Sequence, residues 1–408
     1  MFQRKFGGAI AVVAIVAACG PGTPSVAPPT AGPTSGTPAS AGPPTAAPTQ
    51  AVIGPGEGEL NLIIWPGYAE RGEVDPAYNW VTPFETETGC KVNTTNMNSS
   101  AEGIELMASG LYDGGSFSGN ATDRLMASGL VNPVDVSVFE HYGNIFEGLK
   151  NKSHNSLNGV PYGVPHGRGP NLLIYNTDTC PTAPTSWDPI WEDGAKYKDK
   201  ISIYGYSDFI ADAALHLMVK RPELGITNPY QLSQAQFDAA IDLLEVLDAN
   251  GAQYWGLYTD QMTSFGSGAT VVGTTWQFQV NLLQADGRPV AATLPAEGST
   301  GWSDTWMMYF QAKNPNCMLM WMDHMMSPEA NGMATVWFGE AATSQQACDF
   351  AETLSPGHCE LTHATDEAYY DKIWYWATPR NDCADQDSAT TCVDQATWAE
   401  AWTTLTGN

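Results

Sequence analysis

The chain has 408 residues and a formal net charge of −27, from 44 Asp and Glu against 17 Lys and Arg, with 43% hydrophobic residues. That is long enough and apolar enough for two domains of ordinary size, each with its own core. The scarcity of Lys and Arg argues against nucleic acid as a partner, since phosphate binding needs clustered positive charge; acidity favours cationic ligands and equally suits a salty or acidic habitat.

Arg4 and Lys5 precede an uncharged apolar stretch from Gly7 to Ala18, the order of a secretory signal and too short to span a bilayer. It ends in Val16-Ala17-Ala18-Cys19-Gly20, small residues before a cysteine, which resembles a bacterial lipobox. Residues 1–19 are therefore expected to be a lipoprotein signal, with Cys19 lipidated. Residues 20–56 carry ten prolines among Gly, Ala, Ser and Thr and no charge before Glu57, so they cannot offset their ordering entropy and read as a disordered tether. Anchor and tether together place the folded part outside the cell membrane.

Leu60 to Ile64 is an apolar run stopped by Trp65-Pro66-Gly67, which predicts a buried strand. Helix follows over 79–88, with Gly89 as its stop and Lys91 to Thr94 as the next strand. Further helices are predicted over 101–109, 121–128, 208–219, 233–250 and 328–338, and strands over 171–175, 201–204 and 270–274. Alternating strand and helix predict an α/β chain with mainly parallel sheets. Such sheets take ligands at the carboxyl ends of their strands, so strand-end aromatics and carboxylates are the residues to follow.

Besides Cys19 the chain holds Cys90, Cys180, Cys317, Cys348, Cys359, Cys383 and Cys392. In an exported chain these read as disulfides, Cys383 with Cys392 and Cys348 with Cys359 closing short loops, and the remaining three leaving one odd thiol. There is no CxxC or HxxxH spacing for a metal, and no GxSxG, P-loop, HExxH or GxGxxG for catalysis. No metal, cofactor or catalytic residue is assigned, and His166, in a glycine-dense loop, reads as structural. Carboxylates are abundant enough to supply a pair of the glycosidase type, but abundance alone points to no such pair.

Fourteen Trp and sixteen Tyr are available to cover an amine ligand, whose ammonium would need a carboxylate and whose methylenes suit aromatic faces. Trp65-x-x-Tyr68 follows the first strand, and Trp302-Ser303-Asp304 occupies a second turn-like region. Leu60 to Tyr68, Phe84 to Val92, Asp113 to Val131, Val160 to Pro165, Thr185-Ser186-Trp187 with Trp191, Val271 to Gly287, Gly301 to Asp304 and Phe338 to Ala341 occur in an order that resembles the spermidine/putrescine-binding proteins of ABC importers. The likeness covers nearly all of residues 58–405.

The resemblance implies a two-lobed periplasmic-binding fold of type II, each lobe a mixed sheet flanked by helices, closing on a ligand about a hinge. It implies lobe one over 57–163 and 304–350 and lobe two over 164–303 and 351–408. It places Trp65, Tyr68, Trp276 and Trp302 on the ligand slot, Asp304 on an amine, Ser118 at a cleft serine and Asp208 as the one acid matching a family pair. Asp212 lies four residues on, and no Glu stands at the expected offset. Asn120 replaces a family tyrosine, and Arg168 replaces an aromatic in the lobe crossing. That arginine would either meet a ligand carboxylate or form a hinge salt bridge. The expected function is non-catalytic capture of a polyamine by a monomer that delivers it to an ABC permease. The alternatives are a zwitterionic amine or amino acid, another solute such as a sugar or an iron complex, and a secreted hydrolase.

Overall fold

A computed structural model describes residues 52–383 and 391–407. The signal-like segment, Cys19 and the tether up to residue 51 lie outside them. Among the described residues, no helix is long and apolar enough to cross a membrane.

Leu60, Leu62, Ile63 and Ile64 are buried because the strand Glu59–Ile64 is an inner strand of a sheet with both faces covered. This is why it reads as an apolar run rather than an alternation. The sheet order is Lys91–Asn96, Glu59–Ile64, Gly114–Phe117, Thr305–Met308, Gly163–Pro165. The first three strands run parallel, and Thr305–Met308 lies antiparallel to both of its neighbours. One face packs Trp80, Phe84, Met318 and Trp321, the last two from helix Pro315–Met325. The other packs Met97, Met107, Phe117 and Leu125. Helix Val81–Thr88 ends at Gly89, whose φ of 72° is the left-handed conformation a glycine cap supplies.

A second sheet of five strands repeats the plan, in the order Gln253–Trp255, Ile201–Tyr204, Val272–Thr275, Leu172–Asn176, Val290–Thr293. Its largest core holds helices Ile210–Lys220, Gln234–Ala249 and Gln395–Thr406, with Phe209, Phe237, Trp398 and Trp402 filling the interior. Helices Tyr258–Ser267 and Gln277–Ala285 put Phe265, Val280 and Leu283 against Ile174 and Val290. Each large sheet has two parallel and two antiparallel strand pairings, which corrects the expectation of mainly parallel sheets. Parallel neighbours need a long crossover. Between Gly163–Pro165 and Leu172–Asn176, and from Val290–Thr293 to Thr305–Met308, no helix intervenes. Strand thus follows strand directly where the chain passes from one sheet to the other.

At those passages a three-stranded sheet forms from Gly169–Pro170, Ser299–Trp302 and Ile373–Tyr375. Gly169 is needed there, because a Cβ on it would fall 2.7 Å from the Trp302 ring. The predicted helix over 328–338 forms as Pro328–Phe338, and helix 208–219 forms as a short turn Ser207–Phe209 leading into Ile210–Lys220. Disulfides join Cys348 to Cys359 and Cys383 to Cys392, and Cys90 pairs with Cys317, leaving Cys180 as the buried free thiol among the described residues.

Candidate functional site

Asp304 stands where the chain leaves strand Ser299–Trp302 for Thr305–Met308, so its carboxylate is presented at a passage between the sheets. It is buried, and two hydroxyls hold it: Ser118 Oγ donates to Oδ1 at 2.6 Å and Tyr68 Oη donates to Oδ2 at 2.8 Å. Ser118 follows strand Gly114–Phe117 at the head of helix Gly119–Ala127, and Tyr68 lies in the turn after the first strand. Burial pushes the Asp304 carboxyl up to about 6, against the opposing bonds from Ser118 and Tyr68. Tyr68 itself stacks on His166 with ring centres 4.1 Å apart.

Asp208 is the second acid. Asn120 Nδ2 donates to its Oδ2 at 3.0 Å, while Ser100 Oγ donates to Asn120 Oδ1 at 2.9 Å. Its Oδ1 is buried with no hydrogen-bond partner. Burial raises this carboxyl also to about 6, opposed by the bond from Asn120. Asp212, one turn on, belongs to the packing: Tyr204 and Thr300 hydroxyls donate to it, and it does not reach the cavity.

Trp65, Tyr68, Ser118, Asn120, Asp208, Trp276, Trp302 and Asp304 line one cavity of about 440 Å³, the size of a small-molecule site. Trp276 is fixed by its Nε1 donating to Asn171 Oδ1 at 2.9 Å and by an edge contact with Trp255. Trp302 Nε1 is buried with no hydrogen-bond partner.

The structure places Arg168 away from the slot where the resemblance puts it. It does not line that cavity. Its side chain is 1% exposed, and the guanidinium meets Glu367 Oε1 at 2.7 Å and lies 3.7 Å over the Tyr370 ring. The planar cation has a carboxylate at its edge and a ring on its face, while its Nε is buried with no hydrogen-bond partner. His166 is buried and structural in its contacts: Trp306 Nε1 donates to its Nδ1 at 3.1 Å, and Nε2 faces Glu340 Oε1 at 3.2 Å.

The cavity also takes Arg124, Tyr206, Phe278, Phe338 and Trp376, none of them given a ligand role from the sequence. Tyr206 follows strand Ile201–Tyr204 and Trp376 follows Ile373–Tyr375, so the strand-end rule could have found both. Arg124, in the last turn of helix Gly119–Ala127, gave no such signal.

Two α/β lobes joined by direct strand passages, closing acids and aromatics around one cavity, define a solute-binding protein of the periplasmic type. The chain belongs to the family of bacterial extracellular solute-binding proteins, whose profile matches residues 79–352. It is similar to a putrescine/agmatine-binding protein of Pseudomonas aeruginosa, 25% identical over 67% of this chain and 79% of that one. It is 23% identical to a spermidine/putrescine-binding periplasmic protein of Salmonella typhimurium, over 78% of this chain and 96% of the relative. The crystal structure of a spermidine/putrescine ABC transporter substrate-binding protein from Streptococcus pneumoniae superposes with a TM-score of 0.66 at 18% identity, covering 85% of this chain and 97% of that one.

Proposed function

We propose that the protein captures a small aliphatic amine of the putrescine or spermidine kind in this cavity and hands it unaltered to an ABC permease. One observation carries the reading. Asp304 and Asp208 are buried at the cavity and hydrogen-bonded only by neutral donors; among the described residues neither has an ion pair, the Arg124 charge acting on Asp208 without direct contact. Buried carboxylates without a counter-ion are costly, and a ligand ammonium at each removes that cost. Trp65, Trp276 and Trp302 then offer faces to the methylenes and to the cation. The Pseudomonas and Salmonella relatives are named for such amines, which supports the same class here. The signal-like start, a lipidated Cys19 and the tether would hold the binding domain at the outer face of the membrane, within reach of a permease. Under this reading the lobes follow 57–163 with 304–350, and 164–303 with 351–408, save that strand Gly163–Pro165 lies wholly in the first lobe's sheet and helix Gln345–Leu354 runs across residue 350.

Calorimetric titration of the purified chain with putrescine, spermidine and agmatine tests this. Asp304→Asn is expected to weaken putrescine at least about thirtyfold, about 2 kcal/mol, the lower end for losing one partner of a buried charge pair. Unchanged affinity would remove Asp304 from the site. A carboxylate-bearing amine is the second reading, favoured by Arg124 at the same cavity. Binding of such a zwitterion, lost in Arg124→Met while putrescine gives no heat, would establish it instead.

A further inference from the structure

Outside the cavity lining, three side chains from distant parts of the chain converge on one point of the second lobe. Asp188 opens the short helix Asp188–Trp191, His216 lies in helix Ile210–Lys220, and Glu297 precedes strand Ser299–Trp302. One ligand atom from each lies within 4.8 Å of the other two. A shell around one ion, with bonds of about 2.0–2.2 Å to imidazole and carboxylate, needs only a small closure from that spread.

Convergence of acids alone would mean little, and the histidine supplies the independent observation. Its side chain is 1% exposed, and Nε2 meets Glu192 Oε1 at 2.9 Å. Nδ1 is buried with no hydrogen-bond partner. If Glu192 accepts the Nε2 proton, the lone pair sits on Nδ1, and a carboxylate behind a histidine is how ligating imidazoles are oriented. Glu297 Oε2 is likewise buried and unpartnered, while its Oε1 accepts from the Trp187 N–H at 3.3 Å. Lys220 Nζ stands 2.6 Å from Asp188 Oδ1 on a side chain 36% exposed, a monovalent cation at the rim that can swing out.

We infer that Asp188, His216 and Glu297 form a binding site for a transition-metal dication of the zinc class, with Glu192 as the orienting residue and Lys220 as the competitor. One imidazole with two carboxylates suits Zn²⁺ or Mn²⁺, whereas Ca²⁺ and Mg²⁺ prefer oxygen throughout. The ion would tie the Asp188 helix, the His216 helix and the loop before Ser299–Trp302 together. The lone pairs of His216 Nδ1 and Glu297 Oε2, which have no hydrogen-bond partner, would then be satisfied.

Thermal unfolding of the chelator-treated full chain with Zn²⁺, Mn²⁺ or Ca²⁺ tests the site. Zn²⁺ at a hundredfold excess over its Kd should raise Tm on the order of 4 °C, with Ca²⁺ ineffective. Glu297→Gln and His216→Gln should each cost Zn²⁺ affinity at least tenfold, and Glu192→Gln about tenfold as an outer-shell loss. Lys220→Met removes the competitor without touching a ligand and should tighten Zn²⁺, which keeps the test open should His216→Gln not fold. Putrescine binding is read in parallel and should be indifferent to all four substitutions, so failure here is distinguishable from failure at the cleft. No Zn²⁺ response in the wild-type chain, an equal response to Ca²⁺, a His216→Gln chain that binds as tightly as before, or a Lys220→Met chain with unchanged or weaker affinity overturns the inference.

Discussion

Asp304 and Asp208 share a predicament, since each carboxyl is raised to about 6 by burial. The folded state therefore holds protons more tightly than the unfolded chain, whose carboxyls titrate near 3.9. Their contribution to the stability of the empty protein is full below the unfolded value and is lost as pH rises through about 6. Amine affinity has the opposite sign, because an ammonium pairs with the ionised form. Titrations across this window should show putrescine weakening below pH about 6, by up to tenfold per unit for each carboxylate engaged. Affinity flat from pH 5 to 7 would mean that neither acid meets the ligand. Arg168 gives the contrasting case: Arg168→Met should lower stability by roughly 1–3 kcal/mol through lost hydrogen bonds and packing on Tyr370. It should leave the amine Kd where it was, as chemical denaturation and calorimetry on the same preparation would show.

Among the elements, helix Gly119–Ala127 has an exacting fit. Its first residue lies so close to the backbone carbonyl of Trp376 that a Cβ on Gly119 would collide with that oxygen. Asn120 in the same turn donates across the cavity to Asp208, and Thr378 Oγ1 donates to Asn120 O at 2.6 Å. Intrinsic propensity favours Ala over Gly in a helix by about 1 kcal/mol, so Gly119→Ala ought to help the helix taken alone. The collision is with rigid backbone from the other side of the cavity. The substitution is therefore expected to weaken ligand binding about tenfold or more, without a matching loss of helix content. A Kd equal to wild type would show that the chain around Trp376 yields at no cost.

At the level of the whole molecule, the disulfides differ in what they constrain. Cys90–Cys317 joins residues 227 apart in sequence, whereas Cys348–Cys359 spans 11. On the chain-entropy account these closures are worth about 5 and about 3 kcal/mol respectively. The double substitution Cys90→Ala with Cys317→Ala should lower the denaturation midpoint more than Cys348→Ala with Cys359→Ala does, and the reverse order would show that strain or residual structure outweighs loop length. The long closure ties the start of strand Lys91–Asn96 to helix Pro315–Met325, which the chain forms only after the whole second sheet.

Local physics made much of this protein legible from its residues. Leu60 to Ile64 could only be a buried strand, Gly89 a helix stop and Pro328 to Phe338 a helix, because each is decided within one turn or one run. The short-loop cysteine pairs and the strand-end positions of Trp65, Tyr68 and Asp304 were readable for the same reason. What the tertiary structure alone decided are matters of long-range meeting. Cys317 rather than Cys180 reaches Cys90, because helix Pro315–Met325 packs on helix Val81–Thr88. Glu367, 199 residues away, pairs with Arg168 and takes it out of the cleft. Arg124, Phe278 and Trp376 reach the cavity only through packing between segments far apart in the chain, and Asp188, His216 and Glu297 come together with no spacing that marks them. Such contacts depend on how whole elements pack, and no local pattern of residues encodes that.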